Sequence, residues 1–152
     1  MARFVTESLQ TVQVMRPIAL NSSMWTHRGY LFHQDGSGII TLRGIVNNPY
    51  ANYTVYAVSF DGNIALAEGA TVGPIAISLA QNGQEILSSR AVVTPAAVGD
   101  FFHVVASDYI LVPRGLGFDI SVINSSVSAT PGAVGPAIDV QEKGKLNILR
   151  VA

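Results

Sequence analysis

Three histidines are the side chains of this sequence best suited to acid–base or metal chemistry: His27, His33 and His103. None has a second histidine or a carboxylate at the spacing of a zinc motif such as His-Glu-x-x-His. His33 and Asp35 can share a loop surface, but an isolated pair of this kind is more often structural than catalytic. His103 follows two phenylalanines in an apolar run, which favours a packed or interface histidine. We therefore predict no metal site and no cofactor.

Two glycine-containing segments carry the remaining candidates for chemistry. Asp35-Gly36-Ser37-Gly38 lacks the Gly-x-Ser-x-Gly pattern of a nucleophile elbow and the helix that should follow it. Asp61-Gly62-Asn63 offers oxygens to calcium, but the spaced carboxylates and closing glutamate of a calcium loop are missing. We interpret both segments as turns. The sequence thus contains no catalytic constellation, and we predict that the chain is not an enzyme.

Composition and charge exclude two classes of partner. Charged residues make up 12% of the 152 residues, about half of the roughly 25% typical of soluble domains. The net charge is -1 and there is no basic patch, so no nucleic-acid partner is expected. No apolar run reaches 18 residues, which argues against a transmembrane helix. Polar residues interrupt the segment after Met1, so we predict synthesis in a cytoplasm without a signal peptide or a membrane partner.

The same composition favours self-association. A small monomer with so few charges has difficulty covering its surface, so an oligomer is the simplest explanation. Large and small residues alternate in one segment: Ile75, Ile77 and Leu79 with Ala76, Ser78 and Ala80. Period-two alternation predicts a strand with the large residues on one face. We expect the small-residue face to lie against another protein surface.

Short strands separated by turns must position these residues. Asn82-Gly83 tolerates the positive φ angles of a tight hairpin, so the following strand should fold back antiparallel. Residues 95–98 allow one helical turn, and residues 125–143 are either a surface loop or a poorly formed strand. The predicted strands are 38–43, 52–60, 63–67, 74–81, 85–94, 101–106, 109–112, 117–124 and 145–151. This spacing predicts an all-β antiparallel sandwich or jelly roll.

The first 36 residues differ from the rest. Residues 11–14 alternate like a strand, Arg16-Pro17 ends that pattern, and the segment is too short to bury a core alone. We interpret residues 1–36 as an N-terminal arm that docks on a neighbour, and residues 37–152 as the jelly-roll domain.

Several motifs resemble a known family in their order along the chain. They are Asn82-Gly83-Gln84-Glu85-Ile86, the run 109–115, the run 120–125 and the terminal run 146–152. Together they are similar to the bacterial branch of the TNF-like and complement-globular-head jelly rolls, such as exosporium collagen-like glycoprotein heads. The segments 60–65, 73–75 and 93–98 resemble a subset of short proteins in gut bacteria and in phage or prophage virion gene sets. The resemblance covers about residues 38–152.

This resemblance implies a ten-stranded jelly roll that forms a tight homotrimer, with one sheet of each subunit facing the three-fold axis, and no enzymatic activity. Exosporium-type members attach the head to a collagenous Gly-x-y stalk, which this sequence lacks. A head with a short arm instead of a stalk suits a subunit docked on a larger particle such as a phage capsid. Our leading hypothesis is a virion structural protein, either a capsid decoration (cement) protein or a head or tail fibre knob.

Candidate residues follow from this hypothesis. Aromatic and small residues of central strands are the expected trimer contacts, although each fits the sandwich core equally well. They are Tyr56, Phe60, Ile77, Phe102, Tyr109 and Phe118. For the docking arm, the expected anchors are Phe4, Leu9, Val12, Val14 and Trp25. For Trp25, packing beneath its own sheet is the favoured alternative.

Two other functions are considered. The first is a carbohydrate- or receptor-binding module, because jelly rolls also host lectins, with a host surface glycan as partner. Tyr50, Tyr53 and Trp25 are the residues that would stack on sugar rings. The second is an enzyme on a cupin-like jelly roll, which requires two or three histidines and a glutamate converging on a metal. That spacing is missing from this chain.

Overall fold

The computed structural model describes residues 2–22, 30–45, 48–128 and 130–151. Thirteen strands and a short 3-10 helix, Leu87–Ser89, lie in these ranges, and none of the helical structure there is long and apolar enough to cross a membrane. The strands are β1 Ala2–Val5, β2 Gln10–Val12, β3 Asn21–Ser22, β4 Leu31–His33, β5 Ile40–Arg43, β6 Tyr53–Leu66, β7 Ile75–Gln81, β8 Gln84–Glu85, β9 Ala91–Val93, β10 Phe102–Pro113, β11 Gly117–Asn124, β12 Ile138–Val140 and β13 Lys145–Arg150.

The strands form two antiparallel sheets, as the all-β prediction required. In the seven-stranded sheet, β6 pairs with β10 along one side and with β13 and then β12 along the other. Strand β1 continues this sheet beyond β13 and is followed by β3, while β2 pairs with β12. The six-stranded sheet has the order β4-β5-β11-β7, and both β8 and β9 pair with β7. The thirteen strands of the structure exceed the predicted ten because several of them are only two or three residues long.

The core lies between the two sheets. The even-numbered residues of β6 point inward, so Tyr56, Val58 and Phe60 are buried. In β7, Ile75, Ile77 and Leu79 form the opposite wall. Full burial of an aliphatic or aromatic side chain stabilises the fold by about 1.5–3 kcal/mol relative to exposure. This apolar layer is therefore the main source of stability.

Asp61-Gly62 lies inside β6 and does not form the predicted turn. The two strands predicted on either side of it are one 14-residue strand. A Cβ at position 62 would lie 3.1 Å from the Phe60 ring and 3.3 Å from the Cα of Gly144. Glycine is needed here for the close approach of a ring and a neighbouring backbone, which is its usual role inside a strand. Similarly, the predicted strands 101–106 and 109–112 form the single strand β10.

The predicted hairpin at Asn82-Gly83 is confirmed. Both residues have positive φ angles, 50° and 82°, and Gln81 pairs with Gln84 across the turn. The returning strand is shorter than predicted, since the 3-10 helix interrupts it after Glu85. The Leu79 amide donates to the Ser89 hydroxyl at 2.8 Å, so a side chain replaces the missing strand partner there. Residues 95–98 form no helical turn, and the connection 125–143 contains β12.

The N-terminal residues belong to the sandwich, which corrects the prediction of a separate arm. Strand β1 pairs with β13, placing Ala2 opposite Ile148, and β2 pairs with β12. Phe4 and Val12 are buried in the core, while Val14 is half-buried and Leu9 is 55% exposed. Trp25, the fifth predicted anchor, lies outside the described residues. The arm interpretation was wrong because β1 and β2 join the sandwich through β13 and β12, which lie more than 120 residues away in sequence.

Candidate self-association surface

Half of the predicted trimer contacts are core residues. Tyr56, Phe60 and Ile77 are at most 1% exposed. The Tyr56 hydroxyl donates to the Arg43 carbonyl oxygen at 2.6 Å, and desolvation by burial raises the pKa of Tyr56. These side chains point inward because they occupy the core-facing positions of their strands. They therefore cannot contact a neighbouring subunit, and the core alternative holds for all three.

The other predicted contacts are accessible to different degrees. Phe118 is half-buried and packs against the core, and Phe102, at the start of β10, is 41% exposed. Tyr109 is 70% exposed in the middle of β10. Its side chain points away from the core because odd-numbered residues of β10 face solvent. Of the six predicted contacts, Tyr109 is the one best placed for a subunit contact.

Tyr109 lies in an apolar surface that crosses three strands. We call the solvent side of the seven-stranded sheet the outer face. Tyr109 is opposite Ala57, which is in turn opposite Leu149. One step further along β10, Leu111 is opposite Val55. These five residues form the apolar half of the outer face; Leu111 is 51% and Leu149 47% exposed.

The other half of the outer face carries polar and charged side chains around the exposed Val105. His103, Asn63, Asp61 and Lys145 occupy it. His103 Nε2 lies 3.7 Å from Asp61 Oδ2, and His103 Nδ1 lies 3.1 Å from Asn63 Oδ1. The His103 side chain is 58% exposed, so this histidine is not packed in the core. Its predicted interface role stays a prediction.

His33 has the structural environment that the sequence favoured. Its side chain is 1% exposed, its ring contacts the Phe4 ring edge-on at 4.7 Å, and its Nε2 lies 2.8 Å from the Ser37 carbonyl oxygen. Asp35 accepts a hydrogen bond from the Ser22 amide, which lowers the pKa of this carboxyl. Across the described part of the chain, no three His, Asp or Glu side chains meet in a way that could hold a metal ion. His27 lies outside the described residues.

The small-residue face of β7 is covered by the chain itself, which corrects its predicted contact with another protein. The Ser78 hydroxyl bonds both Glu85 Oε1 and Ser125 Oγ at 2.7 Å. Nearby, the Ala76 amide donates to the Ser126 hydroxyl at 2.9 Å. Small residues are needed here because polar groups of two connecting segments pack directly on the strand. No surface for a second subunit is left at this face.

The Glu85 carboxylate, which bonds Ser78, also forms an ion pair with Arg90. Glu85 accepts two hydrogen bonds of 2.7 Å from the Arg90 guanidinium. These bonds hold the pKa of Glu85 below its usual range and raise the pKa of Arg90. The Glu85 side chain is only 16% exposed. The pair fixes the 3-10 helix against β7.

Sequence reasoning missed Val55, Ala57 and Leu149 as surface partners of Tyr109. Both faces of β10 are apolar, with Val104, Ala106 and Ile110 inward and Val105, Tyr109 and Leu111 outward. Hydrophobic alternation therefore cannot tell which set is the core. The signal that assigns the faces is the pairing register between strands far apart in the sequence.

Known structures share this architecture. No protein-family model and no curated protein sequence matches the chain. The structure of Eiger TNF from S. frugiperda superposes with a TM-score of 0.64 at 12% identity, covering 99% of this chain and 91% of that one. The globular domain of zebrafish complement 1qA protein gives 0.56 at 11% identity, covering 100% and 98%. Identities this low establish the fold alone: the chain is a jelly roll of the kind found in TNF and complement 1q globular heads.

Proposed function

We propose that this chain is a non-enzymatic structural subunit that assembles as a homotrimer through the apolar half of the outer face. The observation that carries the proposal is the row formed by Tyr109, Ala57 and Leu149 on three adjacent strands, in which the exposed Tyr109 and Leu149 flank the half-buried Ala57. An exposed tyrosine flanked by aliphatic residues supplies a large contact area at low entropic cost. A contiguous apolar surface of this kind marks an interaction site more often than an ordinary exposed surface.

The shape of the surface supports contact between identical copies. Ala57 lies between two large side chains, so the row has a shallow centre that can receive a side chain from a neighbour. The charged groups Asp61 and Lys145 lie on the polar half, away from Tyr109 and Leu111. Removing the apolar half from water would therefore bury no charged side chain of that half, which avoids the desolvation cost of unpaired ions.

We further propose that the trimer is a component of a phage virion, as a capsid decoration protein or a fibre knob made in the cytoplasm of the bacterial host. The support is the resemblance of residues 60–65, 73–75 and 93–98 to short virion-associated proteins. A low content of charged residues also suits a chain that is largely covered by partners. A trimer that bridges capsid subunits would stabilise the assembled particle by mass action.

The first test is the absolute mass of the full chain by light scattering after size exclusion. We expect three times the mass of one chain for the wild type and one chain mass for Tyr109→Lys. The matched control is Phe32→Lys, because Phe32 is a 61% exposed aromatic on β4 of the other sheet. A monomeric wild type, or loss of the trimer in the control alone, would contradict the proposed assembly.

The virion proposal has its own test. Particles released by a bacterial strain that carries this gene should contain the chain in numbers comparable to a capsid subunit, measured by quantitative mass spectrometry. Finding it only in the cell fraction would contradict the virion role without affecting the trimer.

A glycan-binding module is the second candidate, because Tyr50 is 93% exposed in the turn before β6 and Tyr53 is 49% exposed. An exposed tyrosine can stack on a sugar ring. Binding to a glycan array that is lost in Tyr50→Ala and kept in Phe32→Ala would support this role. If both variants bind the same glycans, Tyr50 is not part of a glycan-binding site.

A further inference from the structure

Strand β10 has an open edge. Among the described residues it pairs with β6 alone, over all twelve of its positions from Phe102 to Pro113. At about 3.4 Å per residue, this edge is roughly 40 Å long. Long apolar edges are templates for pairing with another chain. The run Tyr109-Ile110-Leu111-Val112, which is uncharged and rich in strand-forming residues, has the composition of segments that aggregate as strands.

A carboxylate interrupts this edge at its centre. Asp108 is the only Asp, Glu, Lys or Arg in β10. It is opposite the buried Val58, on the inward-facing side of the strand, yet it is only half-buried. A charged residue that points inward on an edge strand is one of the devices by which proteins prevent pairing at sheet edges.

The Asp108 carboxylate holds two groups at once. Its Oδ1 accepts the backbone N–H of Tyr109 at 2.8 Å, and its Oδ2 accepts the hydroxyl of Ser88. The first bond occupies a backbone donor that an incoming strand would need. The second bond holds the 3-10 helix, which contains Ser88, beside the same stretch of β10. The Asp108 side chain thus occupies the Tyr109 amide and also keeps the 3-10 helix in the space that an added strand would need.

We propose that Asp108, positioned by Ser88, prevents a second copy of this chain from adding to the open edge of β10. Strand addition would have to break the bond to the Tyr109 amide and take the carboxylate out of water without a cationic partner, which is costly. Copies of the chain are thereby excluded from edge-to-edge growth. This inference concerns the strand edge and does not depend on the proposed trimer, which uses the outer face.

The test compares the aggregation of Asp108→Ala with that of Asp119→Ala, each as the full chain at equal concentration and at equal folded fraction by urea titration. Asp119 is a matched control, since its carboxylate also accepts a hydroxyl, that of Thr41 at 2.7 Å. Asp119 is opposite Thr41 of β5 on one side, and on the other side its backbone N–H and C=O bond Asn82 of the β7–β8 hairpin, so β11 has no open edge at this point. The readouts are the initial rate of thioflavin T fluorescence and the sedimentable fraction.

We expect Asp108→Ala to form thioflavin-positive aggregates more than about tenfold faster than Asp119→Ala, the factor that about 1.4 kcal/mol off a barrier produces. Asp108→Asn, which retains an acceptor for the Tyr109 amide, should lie between them. Ser107 has its amide on the same side of β10 as Tyr109, so adding Ser107→Pro to Asp108→Ala should remove a donor from the open edge and restore solubility. Equal rates for the two alanine variants, or no rescue by proline, would overturn the proposal.

Discussion

Tyr109 and Leu149 lie on the same exposed face because both are in register with Ala57, one from β10 and the other from β13. The two strands flank β6 on opposite sides, so residues 40 positions apart in sequence meet in one row. Ala57 keeps the centre of the row low. A larger side chain at position 57 would therefore fill the depression between Tyr109 and Leu149.

Replacing Ala57 with glutamate should abolish self-association and leave the fold intact. The new side chain would point to solvent in the single chain, but it would place an unpaired charge at the centre of the proposed trimer contact. The expected result is a folded monomer by light scattering and circular dichroism. Val92→Glu, at an exposed position of β9, is the control and should keep the wild-type mass. A trimeric Ala57→Glu variant would rule out this surface.

Phe60→Ala should destabilise the fold by about 3–5 kcal/mol, the usual cost of removing a buried aromatic ring. The ring also covers Gly62 and Gly144, so its loss leaves a cavity that neighbouring side chains cannot fill. The measurement is the free energy of unfolding from urea denaturation. Phe32→Ala removes an exposed ring and should change this energy by no more than about 0.5 kcal/mol. Equal effects of the two substitutions would contradict the assigned core.

Stability should fall in acid partly because of Glu85. Its pKa is lower in the folded chain than in the unfolded chain, since Arg90 donates two hydrogen bonds to the charged form. The stabilisation is complete above the unfolded glutamate pKa of about 4.3 and is lost as pH falls through the folded value. Glu85→Gln should flatten the decline in unfolding free energy below about pH 5, while the exposed Glu68→Gln should not. An unchanged acid slope in Glu85→Gln would show that the pair contributes nothing.

Two glycines should respond in opposite directions to alanine. Gly83 has a φ of +82° in the β7–β8 hairpin, where an alanine side chain is strained, so Gly83→Ala should destabilise by about 1 kcal/mol. Gly73 has no left-handed φ, and a Cβ there would meet nothing within 4 Å. Gly73→Ala should therefore be neutral or stabilise by about 0.4–1 kcal/mol, because it restricts the unfolded chain. Thermal and urea unfolding of both variants measure the difference.

The sequence predicts local structure correctly where the residues of a segment determine its backbone conformation by themselves. The Asn82-Gly83 turn was predicted correctly because the required φ angles select these residues. Asp61-Gly62 has similar turn chemistry, yet it continues a strand, since Phe60 and Gly144 need a glycine between them. Propensity favours a turn in both segments, and only tertiary packing distinguishes them.

The candidate site could be predicted only in part for a related reason. Tyr56 and Tyr109 are aromatic residues of long strands with apolar neighbours, and the sequence offered no basis for choosing between core and surface. The register settles it: Tyr56 is opposite Ile110 on the buried side, and Tyr109 is opposite Ala57 on the exposed side. The same dependence on distant pairing explains why Phe4 was assigned to an arm.

The pairing of β1 with β13 also affects how the chain can fold during its synthesis. Residues 2–5 are made well before their partners in β13, residues 145–148. Because contacts this distant in sequence form slowly, the pairing of β1 with β13 is a late step, and it cannot begin before residues 145–148 have been made. Until then Phe4 has no core to enter, and the nascent chain exposes apolar strands that a chaperone would recognise.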